Sequence, residues 1–229
     1  MVNNIFLLTF ILAHLIGDFV LQTDKIAKEK ATSIKGIFIH SIIVLCVQIV
    51  FLSVFGFKGL LAGLMSGGIH FFIDYTKYFL NKRKVLKDKQ ILLFILDQAV
   101  HILLIILITH ILGREYNNIY SKYIEYVEYG IQIIILAYVA PIASKTLIFD
   151  MKLIINTNNF FIKYERGFDR IIIFILWGML NFIDFNITIP LIVALFYIYK
   201  ELEERYFKYN LPVAFIKYTV YSIILMFVV

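Results

Sequence analysis

Apolar runs of about 20 residues recur along this chain, separated by short polar stretches. A helix of that length crosses the hydrocarbon of a bilayer, where only helices and closed barrels satisfy every backbone hydrogen bond. The runs fall at 4–22, 36–55, 60–80, 90–112, 129–149, 169–185, 186–199 and 211–229. They predict an all-α fold, a polytopic transmembrane helical bundle of about eight spans. The short sixth and seventh runs leave seven open. We expect one membrane domain with two halves, 1–112 and 113–229. No polar stretch is long enough to form a soluble domain. The chain is 61% hydrophobic and only 17% charged, against about a quarter charged in soluble domains. The opening MVNN lacks the basic start of a signal peptide, so the first run is expected to stay as a span. Gly63, Gly67 and Gly68 in the third run would let helices approach closely. Pro141 would kink the fifth. The lone Cys46 excludes an internal disulfide and reads as a small core residue.

The net charge of +6 does not point to nucleic acid, because Lys and Arg of membrane proteins gather in cytoplasmic loops. With eight spans, the odd loops (23–35, 81–89, 150–168, 200–210) hold fifteen Lys and Arg. The even loops hold Lys58, Arg114 and Lys122. This bias predicts a multi-pass protein of the cell (inner or plasma) membrane with both termini outside.

Against that apolar background, one polar device repeats. His14-x-x-x-Asp18, His70-x-x-x-Asp74 and Asp97-x-x-x-His101 each place two ionisable groups on one helix face. His40 stands alone in the second run. The topology puts all seven about 6 to 18 Å in from the cytoplasmic helix ends. An ionisable group at that depth costs several kcal/mol unless it is paired or bound. Four His and three Asp suit a divalent transition metal: zinc first, with manganese or iron as alternatives. His14, Asp18, His40, His70, Asp74, Asp97 and His101 are the candidate ligands. Asp18 and Asp97 are the candidate catalytic bases, since a metal lowers the pKa of water. Gln22 and Gln98 could orient substrate or water. Lys25 and Arg83 lie at the rim and could hold an anionic head group. The same residue types also suit a proton or ion relay, or polar contacts that hold helices together. His110, near the outer end of its run, reads as a non-ligand.

The stretches HLIGDFVLQTDKIAKEK, His40, HFFIDYTK and LDQAVH resemble a bacterial family of multi-spanning membrane proteins of unknown function. The resemblance covers most of residues 10 to 105, with a fainter echo in KYERGFDR at 163–170. The His and Asp pattern is also similar in style to membrane-bound metal-dependent hydrolases. That similarity implies a hydrolase but no substrate. Together these readings predict a membrane metal-binding protein acting on a membrane lipid or lipid-linked substrate. A metal-ion or proton transporter or channel, and a membrane adaptor or sensor, are the alternatives. A cytoplasmic protein partner or a homo-oligomer would fit the basic loops, and nucleic acid is not expected.

Overall fold

A computed structural model of the chain describes residues 4–84, 88–116 and 121–151, with isolated helical positions between 175 and 224. The described residues are helical, with no strand among them. The chain divides into two compact units, Met1–Ile134 and Ile135–Val229. The first carries every candidate site residue.

Helix α1 (Ile5–Leu15) begins at Asn4, whose side chain accepts from the Leu7 amide at 3.0 Å. That satisfies one of the orphan donors of the first turn. The helix ends in a π-helical turn, Ile16–Val20, closed by the Leu21 amide donating to Ile16 O at 2.9 Å. The chain then bends by 87° into α2 (Asp24–Thr32), which Thr23 caps through the Ile26 amide at 3.3 Å. The sequence reading treated 23–35 as a loop. Thr23 and Ser33, both good N-caps, instead start two successive helices. Ser33 caps α3 (Ile34–Leu52) through the Gly36 amide at 3.0 Å. A Cβ on Gly36 would lie 2.2 Å from the Glu29 carbonyl carbon, so α2 can fold back onto α3 only because this residue is Gly.

A short 3₁₀ turn and Gly56 at φ 65° reverse the chain into α4 (Gly56–Lys82), which packs along α3. A Cβ on Gly67 would lie 2.9 Å from Leu45 Cα, and one on Gly63 3.1 Å from the Ile49 amide. Gly68 faces open space, so only two of the three glycines expected at a helix contact serve one. Helix α5 (Gln90–Leu112) then packs on α4 and α1. Helix α6 (Ile124–Ile134) packs on α1. In the second unit, a π turn (Ile135–Val139) precedes α7 (Ala140–Asp150), with Pro141 in its first turn. A wider turn there accommodates a residue that lacks an amide hydrogen.

Three helical stretches among the described residues are long and apolar enough to cross a membrane: Ile34–Lys82, Gln90–Leu112 and Ile124–Asp150. The bent pair Ile5–Val20 and Asp24–Thr32 would make four if it is one span. Ile34–Lys82 is folded at Gly56, so its two arms, α3 and α4, lie side by side. A count of about eight spans is not supported. The first run is broken at 21–23, and the runs expected at 169–229 lie outside the described residues except for isolated helical positions, while KYERGFDR lies wholly outside them. The outward faces are apolar, with Phe38, Val50, Leu64, Phe72, Leu103 and Ile111 exposed. Cys46 is exposed on α3 and is not a core residue.

The first unit is packed along four buried stripes with a four-residue step. They are Phe6–Phe10–His14–Asp18, His40–Val44–Gln48–Leu52, Ala62–Ser66–His70–Asp74 and Asp97–His101–Ile105–Thr109. Residues at i and i+4 share a helix face, so each stripe faces the bundle axis. At one end the stripes are apolar. Phe6 lies 4.9 Å from the Phe55 ring and 5.4 Å from Tyr116, whose hydroxyl donates to Phe55 O at 2.8 Å. At the other end they are ionisable.

Candidate metal centre

The seven expected ligands converge in the first unit. They form three overlapping groups: His14, His70 and His101; Asp18, His40 and His70; Asp74, Asp97 and His101. Within each group the ligand atoms lie within 4.8 Å of one another, and every residue is buried. These buried groups could hold a metal ion.

Among the imidazoles, the closest contacts are those of His40 and His70. His40 Nε2 lies 2.9 Å from Asp18 Oδ1, and His70 Nε2 lies 3.1 Å from Asp74 Oδ2. The two Nε2 atoms are only 3.2 Å apart. With both carboxylates ionised, no placement of protons satisfies all three contacts. Two protonated Nε2 atoms oppose each other, and a deprotonated one turns its lone pair on a carboxylate. A shared cation removes the conflict. In a tetrahedral zinc site with Zn–N near 2.05 Å, ligand nitrogens stand about 3.3 Å apart.

The second side of the cluster is looser. His101 Nε2 is 3.8 Å from Asp97 Oδ1, and His14 Nε2 is 4.0 Å from Asp18 Oδ2. His14 Nε2, His101 Nε2 and Asp97 Oδ1 are buried, with no hydrogen-bond partner among the described residues. A buried polar atom without a partner costs about 1–3 kcal/mol. The His70 and His101 rings stack with centroids 4.2 Å apart, which brings the two sides together.

Gln98 donates from Nε2 to Asp18 Oδ2 at 2.9 Å and to Asp97 Oδ2 at 3.2 Å. It therefore ties two carboxylates together. Gln22 Oε1 is buried without a hydrogen-bond partner. Lys25 is exposed on α2, and Arg83 is exposed with its guanidinium 4.3 Å over the Phe79 ring. His110 lies at the far end of α5, where it meets Arg114 Nη2 at 3.1 Å from Nδ1. There too, Lys58 pairs with Glu115 and holds its carboxyl below the usual range by hydrogen bonding.

Two lysines enter the cluster that the sequence reading did not place there. Lys30 Nζ lies 2.8 Å from Asp74 Oδ2 and 3.4 Å from Asp18 Oδ1. Lys77 Nζ lies 2.7 Å from Asp97 Oδ2. Lys77 follows His70 by seven residues and Asp74 by three, a spacing that puts it on the same face. Lys30 reaches the centre only because α2 turns back, and no local pattern announces that.

A family model described as Protein of unknown function (DUF3307) matches residues 6–129. That segment contains all seven cluster residues and both lysines. No curated protein and no solved structure matches the chain.

Proposed function

The chain belongs to this family of unknown function, and we propose that it is a multi-pass membrane protein with an intramembrane metal centre, acting as a metal-dependent hydrolase on a lipid-like substrate. The carrying observation is the convergence of His40 and His70 at 3.2 Å, each also facing a carboxylate. Lys30 and Lys77 balance only two of the cluster's three carboxylates, and the remaining buried negative charge is costly in a bilayer unless a further cation neutralises it. A divalent ion supplies Lewis acidity and a lowered pKa for water at neutral pH. His40, His70, Asp18 and Asp74 would hold it. His14, His101 and Asp97 would complete its shell or hold a second ion. Asp97 is the better general base of the two candidates, because its Oδ1 accepts no hydrogen bond from the described residues. Zinc is the first choice of metal, and the positive loops argue for a site opening to the cytoplasmic leaflet. The aromatic packing around Phe6 closes the other end of the same unit, which favours an enzyme over a path through the bundle.

The test is metal content by mass spectrometry on detergent-purified protein prepared without chelators. One or two zinc, manganese or iron ions per chain are expected, with loss in His70→Ala and Asp97→Ala. Lipid ester and phosphoester hydrolysis is then assayed on the loaded protein. A wild-type protein that takes up no transition metal would overturn the proposal.

A further inference from the structure

Lys30 and Lys77 stand between the centre and the outside. The cluster residues are at most 6% exposed, whereas the side chains of Lys30 and Lys77 are 14% and 26% exposed. The two lysines are therefore the more exposed charged side chains of the cluster. They come from different elements, α2 and α4. Each is held by carboxylates that are also metal-ligand candidates: Lys30 by Asp18 and Asp74, Lys77 by Asp97. An ion that takes those oxygens therefore releases the ammonium groups.

The charge balance then decides what fits. With neutral imidazoles, three carboxylates and two ammonium groups leave one negative charge. One divalent ion makes that one positive, and a second makes it more so. A buried positive centre calls for an anion. Two ammonium groups and an ion together match a tetrahedral oxyanion, which offers an oxygen to each. A planar carboxylate offers only two, both in one plane. Lysine is a good point-charge partner for phosphate.

Resting on the metal-centre reading, we propose that Lys30 and Lys77 form an anion subsite that seats the phosphoryl group of a phosphate-bearing substrate beside the metal. A lipid head group and a free phosphate compound share that chemistry.

The experiment uses the full chain in detergent, loaded with Mn²⁺ and desalted. The ³¹P line of inorganic phosphate, and separately of a short-chain phosphatidic acid, is followed for saturable paramagnetic broadening. Wild type is expected to broaden at least one of them. Lys30→Gln and Lys77→Gln should each keep the ion and weaken phosphate binding about tenfold, a loss of about 1.4 kcal/mol. Lys30→Arg, which keeps the charge and the fold contact, should retain binding. Lys35→Gln, on an exposed residue, should change nothing. Broadening by phosphatidic acid alone assigns a lipid source, and broadening by inorganic phosphate alone assigns a free one. Metal retained with no broadening by either, or broadening unchanged in both Lys→Gln variants, overturns the subsite and leaves the metal centre standing. A wild-type chain that takes up no ion overturns both.

Discussion

The two ends of the first unit are built on the same four helices and held by opposite means. At one end Phe6, Phe10, Leu52, Phe55, Ile105 and Ile108 form a buried apolar core. At the other, one to three helical turns further along each stripe, His14, Asp18, His40, His70, Asp74, Asp97 and His101 are equally buried. The apolar end is nearly complete: its rings are in contact and its Tyr116 hydroxyl is bonded, with the Thr109 hydroxyl left unbonded among the described residues. The polar end is not. It has two imidazole nitrogens in conflict at 3.2 Å and several buried atoms with no hydrogen bond. Equal burial with unequal completeness teaches that the helices are fixed at one end by packing, so that ionisable groups can be held together at the other. Stability and function are divided along the bundle axis.

The comparison breaks most severely at Lys30. Lys30→Met leaves Asp18 and Asp74 without their ammonium partner, and the metal-free protein should lose about 3–5 kcal/mol. Zinc at about 100 times its Kd stabilises whichever form binds it by about 2.7 kcal/mol, and because zinc takes over the carboxylates that Lys30 held, the loss relative to wild type should shrink when zinc is bound. Melting with and without chelator checks this, and an equal loss in both conditions would mean the polar end is a closed structural network. Phe6→Ala should cost about 3 kcal/mol through the cavity it leaves. Its metal content should match wild type, because its contacts are at the packed end. Gly67→Ala tests the join between the two ends. Its Cβ would press on the Leu45 backbone one turn from His70, costing about 1–3 kcal/mol and about tenfold in metal affinity. The smallest effect belongs to Lys58→Gln. Glu115 is fully exposed, so the melting temperature near neutral pH should not resolvably change. Since Lys58 depresses the Glu115 pKa, whatever the pair contributes is present above the ordinary carboxylate pKa and fades as pH falls through the depressed one. Acid titration of melting temperature in wild type and variant would show this as a slightly shallower acid limb in the variant.

The polar end was legible in the sequence because its grammar is local. His14 with Asp18, His70 with Asp74 and Asp97 with His101 each use one helix turn, and span direction alone put the turns at one depth. The apolar end was less visible, since Phe6 and Phe55 are unremarkable among 22 Phe. What the sequence concealed was tertiary. Lys25 and Arg83 looked like the rim because loops looked like loops. The chain instead forms α2, caps it with Thr23, and brings Lys30 inward while Lys25 stays exposed. The span count is not supported for a related reason: hydropathy sees a 4–22 run but not the bend of 87° that ends it.

The π turn at Ile16–Val20 has a consequence for insertions and deletions. Four residues of α-helix overshoot a full turn by about 40°, so a four-step stripe drifts around its helix. Between Phe6 and His14 the drift amounts to about 80°, and another α-helical step would carry Asp18 further off the bundle axis. A turn closed five residues back takes up one more residue and winds the phase back. Deleting Ile16 or Gly17, the two residues of the turn ahead of Asp18, would therefore reset the angle of everything beyond it. The carboxylate of Asp18 and the whole approach of α2 would rotate by up to about 100°, although no ligand had been removed. The centre is thus more exposed to a change in chain length at this turn than to most substitutions around it.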